Sequence, residues 1–310
     1  MTEEELYRDA RPLLFSVAYR MVGSVSEAED IVQEAFVRLR RATAAGTTVE
    51  EPKAFLVTVT TRLAIDHLRS ARVRREAYVG EWLPEPVVAR AEREPEEAVE
   101  MAESLSMAFL VLLETLSPVE RAVFLLREVF GYPYDEIAAI VAKTETNCRQ
   151  ILARARSHVR AGRPRFEPPD QDRYALAREF LAACERGDLD GLVRLLADDV
   201  VFHGDGGGKV AGVPRPVRGR DRVGRLFGGL LRQAEQRGLG LRPAVVNGEP
   251  GAMVVDPEGS LVAVLALEIA GGGVSGIWSV ANPDKLHHLG PVAGPGSGPT
   301  GGSPRRSEPA

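Results

Sequence analysis

Two stretches of this chain concentrate the side chains that bind phosphates and base edges. Residues 60–80 carry five arginines, Arg62, Arg69, Arg72, Arg74 and Arg75, against two acids. Residues 143–165 carry seven basic residues against one acid, and among them Thr144, Asn147, Arg149, Gln150, Arg154 and Arg156 fall within one helix-length segment. A guanidinium fork fits a phosphate or the edge of guanine, and a carboxamide fits the edge of adenine. That mixture points to DNA. A third stretch, FHGDGGGKV at 202–210, has the outline of a phosphate-cradling loop. A Walker A loop, however, needs G-x-x-x-x-G-K followed by Ser or Thr. Here Val210 follows Lys209 and no helix clearly begins after it, so nucleotide binding is not expected. Two readings remain: a plain glycine turn after a strand, or a loop whose glycines bring the backbone close to another surface, with Asp205 and Lys209 flanking it.

Acid–base chemistry has weaker support. His203, Asp205, Asp221 and Glu268 lie near strand-like runs, but nothing in their spacing pairs them for proton transfer. The two cysteines, Cys148 and Cys184, have no metal-ligand spacing around them. A disulfide framework, a metal and a cofactor are all unexpected.

The 310 residues are enough for two or three domains, and 44% hydrophobic content is enough to bury real cores. The net charge of −5 hides the basic blocks, because residues 81–104 carry eight glutamates against two arginines. Anion-binding surfaces are therefore local. No N-terminal apolar h-region and no apolar run of membrane length occurs, so a reducing cytoplasm is the expected compartment.

Helices must position the basic residues. Ser26 with Glu29 has a capping-box pattern, and Ala28, Ile31, Val32, Ala35, Phe36 and Leu39 follow at 3.6-residue spacing. Asp30, Gln33 and Glu34 lie outside that stripe. Upstream, LLFSVAYRMVG predicts a partner helix; downstream, Pro52 starts a helix that turns basic at its end. The prolines of YVGEWLPEPVVAR interrupt the helical pattern, and the glutamates after it read as a linker. Ser117-Pro118-Val119-Glu120 is a second capping box, with its helix ending near Gly131. In YDEIAAIVAKTETNCRQILARARSHVR, Ile137, Ala138 and Val141 stripe one short helix. Thr144 then caps another striped by Cys148, Ile151, Leu152 and Ala155. Two short helices joined by three or four residues form a helix-turn-helix pattern, with small Ala138 permitting a close crossing. The same pattern also suits a plain αα-hairpin with a solvated face.

A proline-rich segment at 163–172 precedes a change of character. Ala177, Phe180, Leu181 and Cys184 stripe a helix; Asp188 caps another. The runs VVFHG, GAMVVD, GSLVAVLALEIA and GVSGIWSVA then predict strands with glycine turns between them. Helices followed by an antiparallel meander predict an α+β domain over 173–290, and the last twenty residues read as a disordered tail.

AEDIVQEAFVRLR, TRLAIDHLRSARVRRE and the helix-turn-helix, in that order, resemble the extracytoplasmic-function sigma factors of the sigma-70 class. WLPEP, DGGGK and NPDKL together are similar to a subgroup with a fused C-terminal SnoaL-like domain of the NTF2-like cone fold. The resemblance covers roughly residues 5–290. It implies a multidomain chain: region 2 over 1–80, a linker over 81–100, region 4 over 101–162, a linker over 163–172, the cone domain over 173–290 and a tail over 291–310. It further implies a monomer that binds core polymerase through Asp30, Gln33 and Glu34. Arg62, Arg69, Arg72, Arg74 and Arg75 would contact DNA near the minus-ten element, with a base pocket in the 43–52 loop. Thr144, Asn147, Arg149, Gln150, Arg154 and Arg156 would read the minus-thirty-five element. Control in cis would run through Trp82, Leu83, Pro84, Glu85, Pro86, Asp205, Gly206, Gly207, Gly208, Lys209, Asn282, Pro283, Asp284, Lys285 and Leu286. Arg215 and Arg220 are candidate partners for the acidic linker. Arg62 stands where many of these factors have asparagine, Pro133 replaces a serine cap, and Ala142 and Lys143 occupy turn positions that are often glycine and an apolar residue. The resemblance makes the chain no enzyme. The competing readings are a small-molecule-sensing or catalytic cone domain fused to a DNA-binding regulator, and a DNA-binding regulator that ignores polymerase.

Overall fold

The computed structural model describes residues 2–76, 78–89, 105–161, 171–210 and 212–293; of residues 3, 71–76, 89, 160, 161, 171 and 172 it describes the backbone only. The described residues form two compact units: residues up to 76 together with 105–161, and residues 78–89 together with 171–293.

The first unit is helical. Helices α1 (Glu3–Val22), α2 (Val25–Ala44) and α3 (Pro52–Glu76) pack together. The apolar stripe expected on α2 is the buried one, Ala28 through Leu39. Its cap differs from expectation. Ser24, not Ser26, is the N-cap, and its hydroxyl accepts from the Glu27 N–H at 3.3 Å. The chain turns at Gly23, which closes α1 in a left-handed conformation, so the next helix starts two residues earlier. Then come α4 (Met107–Leu113) and α5 (Pro118–Phe124), the latter with a reciprocal capping box between Ser117 and Glu120. The helix continues as a π segment, Leu125–Val129. Helices α6 (Tyr134–Val141) and α7 (Glu145–Ala161) complete the unit.

Two arginines tie its parts. The guanidinium of Arg121, 3% exposed, donates to the Met21 carbonyl of α1 at 2.5 Å and pairs with Glu114 at 2.7 Å. Burial lowers its pKa to about 9. Arg62 of α3 donates to the Ile140 and Ala139 carbonyls at the C-terminal end of α6, both at 2.8 Å. Those carbonyls have no partner within their own helix and carry the negative end of its dipole, so a cation suits them.

In the second unit helices cover one face of a mixed sheet. Its elements are β1 (Val88–Ala89), α8 (Gln171–Glu185), α9 (Leu189–Leu195), β2 (Leu196–Asp205), β3 (Val217–Arg218), α10 (Arg220–Gln236), β4 (Gly240–Val246), β5 (Glu249–Val255), β6 (Leu261–Ala270) and β7 (Gly273–Val280). The strand order is β1-β4-β5-β6-β7-β2-β3. Strands β5 to β7 pair antiparallel as expected and β4 extends that meander, but β2, expected in it, pairs in parallel with β7, because α10 carries the chain away before the meander returns. Neither α10 nor β4 was expected. Pro243 lowers the strand signal of β4, yet it fits there because β1 pairs only with the far end, Val245 and Val246. Phe180 of α8, Phe227 of α10 and Phe202 of β2 meet edge-on at 5.6 and 6.0 Å in the core.

Two boundaries move. Residues 78–80, expected at the end of region 2, and 81–89, expected as part of a linker, belong to the second unit. Residues 291–293, expected in the tail, lie against β6, where the Leu261 N–H donates to the Pro291 carbonyl and the Leu261 carbonyl accepts from the Ala293 N–H. The rest of the expected tail, 294–310, residues 90–100 and 163–170 of the two linkers, and residues 101–104 and 162 at the ends of the expected region 4 lie outside the described residues.

Candidate functional site

The helix-turn-helix forms from local signals. Pro133 precedes α6 without a side-chain cap, Ala142 takes the left-handed conformation at φ 53°, and the Thr144 hydroxyl accepts from the Asn147 N–H at 3.2 Å. Cys148, Ile151, Leu152 and Ala155 bury one face of α7, leaving Asn147, Arg149, Gln150, Arg154 and Arg156 exposed. Three of these arginines rest on acids: Arg149 on Glu145 at 2.9 Å, Arg154 on Glu120 at 3.6 Å and Arg156 on Glu128 at 2.8 Å. Arg149 also stacks over the Tyr134 ring. Exposed pairs of this kind contribute about 0–1 kcal/mol, so a phosphate or base edge can replace them.

On α2, Asp30 and Gln33 are exposed and Glu34 pairs with Arg38 at 2.9 Å. On α3, Arg69 pairs with Asp66, and Arg62 is bound to α6 as described. The side chains of Arg72, Arg74 and Arg75 lie outside the described residues.

The third cluster is the most tightly built. Asp205, at the end of β2, is 1% exposed. One carboxylate oxygen accepts from the Tyr78 hydroxyl at 2.5 Å and the Gly207 N–H at 3.0 Å. The other accepts from the Leu83 N–H at 2.9 Å and the Lys285 ammonium at 2.6 Å. Lys285 also donates to the Leu83 carbonyl and sits 4.1 Å from the Trp82 ring centroid and 4.9 Å from that of Tyr78. Asn282 donates to the Tyr78 hydroxyl at 2.8 Å. Burial first, and then the hydrogen bond and charge of Asp205, push the Tyr78 hydroxyl far above its ordinary pKa, so it stays a donor. A buried carboxylate with four donors and a buried ammonium between two aromatic faces satisfy each other; either alone would be strongly unfavourable.

The glycines now have separate reasons. A Cβ at Gly206 would lie 2.6 Å from the Val210 carbonyl oxygen. Gly207 and Gly208 are left-handed, at φ 60° and 70°. A Cβ at Gly207 would lie 2.3 Å from Asn282 Nδ2, and one at Gly208 3.0 Å from Val79 Cβ. The loop touches the 78–89 segment through its backbone. Its amides are engaged too: Gly207 bonds Asp205, and Lys209 and Val210 bond the Gly206 carbonyl.

From here the segment runs along the sheet. Glu81 meets His203 Nδ1 at 2.7 Å, and that imidazole stacks on Trp278 at 3.8 Å. Leu83, Pro84, Glu85 and Pro86 are buried. Glu85 lies 3.9 Å from His288, which also meets the Pro86 carbonyl at 2.8 Å. Val87 and Asn247 exchange two hydrogen bonds, and β1 then adds a strand to the sheet. Of NPDKL, Pro283 opens a short 3-10 turn and Leu286 is fully buried. Lys209 and Asp284 pair with each other at the surface, at 2.6 Å. Arg220 pairs with Asp198 at 2.9 Å and Arg215 is exposed; the linker acids at 92–103 lie outside the described residues. Tyr78, Val79, Glu81, His203, Asn247, Trp278 and His288 were not named as contacts of this site. None lies within WLPEP, DGGGK or NPDKL, and only folding brings them together.

The acid–base candidates divide. Asp205 is committed to the cluster, and Asp221 is exposed in the first turn of α10. Burial raises the Glu268 pKa, with His203 and Arg173 opposing. Burial and the Glu268 charge push neighbouring Glu249 up to about 8, with Arg173 again opposing. Glu249 therefore keeps its proton in the folded state where the unfolded chain has lost it. The stability it confers is complete below its ordinary value of 4.5 and declines as the pH rises towards 8. Glu249→Gln should remove that slope and make the unit more stable than the parent above pH 8. Thermal unfolding across this range checks it; parallel curves for the two chains would contradict it.

Three family models match in order: Sigma-70 region 2 at residues 6–74, Sigma-70 region 4 at 106–159 and a SnoaL-like domain at 177–280. The chain is 40% identical over 288 residues to the ECF RNA polymerase sigma factor SigJ of Mycobacterium tuberculosis H37Rv, covering 89% of this chain and 90% of that one. It is 34% identical over 285 residues to the probable ECF RNA polymerase sigma factor SigI of M. tuberculosis CDC 1551, covering 91% and 94%. It superimposes on the crystal structure of M. tuberculosis SigJ with a TM-score of 0.75 at 36% identity, covering 91% of this chain and 98% of that one.

Proposed function

Since this chain belongs to the extracytoplasmic-function RNA polymerase sigma factors, with the SnoaL-like domain fused behind regions 2 and 4, we propose that residues 78–89 are the regulatory element through which that domain controls initiation in cis. The single observation that carries this reading is the buried Asp205–Lys285 pair closed over Tyr78, Trp82 and Leu83. The held segment joins the two helical domains in the chain. Releasing it would lengthen the tether between the readers of the minus-ten and minus-thirty-five elements.

Asp30, Gln33 and Glu34 contact core polymerase in this reading. Arg69, with Arg72, Arg74 and Arg75, contacts the DNA backbone near the minus-ten element, and Asn147, Arg149 and Gln150 read bases upstream. The working boundaries are region 2 over 2–77, region 4 over 105–161 and a regulatory domain over 78–89 and 171–293. As a polymerase subunit it acts in the cytoplasm, and among the described residues no helix is long and apolar enough to cross a membrane.

In vitro transcription with core polymerase on a promoter pool tests the assignment. Specific starts should appear. Replacing Arg149 and Asn147 by alanine should relax the upstream preference, at about 1–3 kcal/mol for each lost base contact. Arg69→Ala should instead weaken all promoters alike and reduce the salt slope by about one. Unchanged upstream preference in the double variant would move base reading off α7.

A further inference from the structure

The clamp shares a wall with a cavity of about 910 Å³ in the second unit. Phe202, Phe227, Leu241 and Leu265 are among its apolar lining residues. Arg186, Arg232 and Arg237 line it as well; the first two are exposed and the third is half-buried, so cations stand where the cavity meets solvent. Glu185 and Glu235 also line it and are exposed, leaving the arginines in excess. One terminal nitrogen of Arg237 is buried without a hydrogen-bond partner, and so is the amide oxygen of Gln233, one turn earlier on α10. Buried polar atoms are normally satisfied, so an orphaned guanidinium nitrogen beside an apolar cavity points to a missing acceptor. Gln233, with its amide turned, offers a second donor to the same acceptor.

The remaining wall is formed by Gly204, Asp205, Gly206 and Ala281. Gly204 and Gly206 have no side chain, so a ligand there rests on the backbone that aims the Asp205 carboxylate at Tyr78, Leu83 and Lys285. The Ala281 N–H bonds the Asp205 carbonyl at 2.8 Å, which joins the two sides of this wall.

We propose that this cavity binds an amphipathic organic anion, its apolar body among the phenylalanines and leucines and its carboxylate at Arg237 and Arg232, and that its occupancy is coupled to the 78–89 clamp through the shared wall. The coupling half rests on the cis-control reading above; the binding half does not. A pocket of this size accepts a drug-sized ligand or a medium-length acyl chain. Coupling is reciprocal: if the ligand shifts the clamp, breaking the clamp must change ligand affinity by the same factor.

The test uses the full chain and sodium dodecanoate below its micellar concentration, with dodecanol as the neutral comparator, followed by titration calorimetry and tryptophan emission. Trp82 and Trp278 are the two tryptophans, so Trp82→Phe isolates the Trp82 signal. Dodecanoate should bind saturably and change the Trp82 emission. Arg232→Ala combined with Arg237→Ala should weaken dodecanoate about tenfold or more while leaving dodecanol nearly unchanged, as expected for lost charge-assisted bonds. Lys285→Met, which breaks the clamp away from the cavity wall, should change dodecanoate affinity by about fivefold or more. No saturable binding overturns the site, and equal dodecanoate affinity in the arginine variant overturns the anion. Binding with silent Trp82 emission and unchanged affinity in Lys285→Met overturns the coupling alone. A Lys285→Met chain with parental transcription overturns the cis-control reading, whatever the ligand does.

Discussion

Asp205→Ala should destabilise the SnoaL-like unit by about 3–5 kcal/mol and release residues 78–89 from it. The carboxylate is 1% exposed and accepts four hydrogen bonds, and its loss removes the balancing charge from Lys285, a buried cation 6% exposed. That is the expensive case: one charge removed and its partner left in low dielectric. The nearby Lys209–Asp284 pair is the control. Its side chains are 49% and 57% exposed, so Lys209→Ala should change stability by less than about 1 kcal/mol. Pairing Asp205→Ala with Lys285→Met should recover part of the loss, since no buried charge is then unpaired. Thermal unfolding with Trp82 emission reads the first effect. An unchanged unfolding temperature in Asp205→Ala would show that the Lys285 ammonium has water or another acceptor to turn to. In transcription the same variant should differ from the parent by about fivefold or more, the usual range of coupling between sites. An increase would make the SnoaL-like domain an inhibitor, a decrease an activator, and no change would end the cis-control proposal.

Arg121→Ala should have the second largest effect, about 3 kcal/mol on the helical unit. The side chain is 3% exposed and joins α5 to α1 through the Met21 carbonyl, with Glu114 balancing its charge. Alanine leaves a cavity and takes one donor away from the buried Met21 carbonyl and from the Glu114 carboxylate. Arg62→Ala removes two hydrogen bonds to α6 at a solvent-exposed position and should cost only about 1–2 kcal/mol. Denaturant unfolding of the two variants checks the ranking, and equal midpoints would refute it. The consequence for function is geometric. The minus-ten and minus-thirty-five elements lie some 25 base pairs apart, roughly 85 Å at about 3.4 Å per pair. Helices α3 and α6 are in direct contact here, so in the proposed reading, with α3 and α7 on the two elements, this packing opens before both are held. Arg121→Ala should therefore raise the radius of gyration of the free chain in solution scattering, and an unchanged radius would place the closing contacts elsewhere.

Periodicity made the helical half legible. The stripe on α2 and the apolar faces of α6 and α7 each follow from 3.6-residue spacing, a local property that survives in any context that buries one face. The cap of α2 was misplaced by two residues because Ser24 and Ser26 are equivalent in sequence, and only the turn at Gly23 distinguishes them. The second half was harder. Pro243 obscured β4, and the parallel pairing of β2 with β7 depends on where the chain returns after α10, which no local spacing records.

The sequence by itself determined the identity and order of the domains and the residue types on each functional face, because motifs and amphipathic stripes are written within a few turns of chain. It also singled out WLPEP, DGGGK and NPDKL as belonging together. Only the tertiary structure decided how they meet. Asp205, Tyr78, Leu83 and Lys285 are separated by up to 207 positions, and burying a carboxylate and an ammonium is tolerable only once all of their partners arrive. The tertiary structure also decided that Arg62 faces the α6 carbonyls and that residues 78–89 pack on the SnoaL-like unit, with Val88–Ala89 as an edge strand of its sheet. Both outcomes depend on long-range satisfaction of backbone groups, and a linear pattern carries no record of which distant group will supply it.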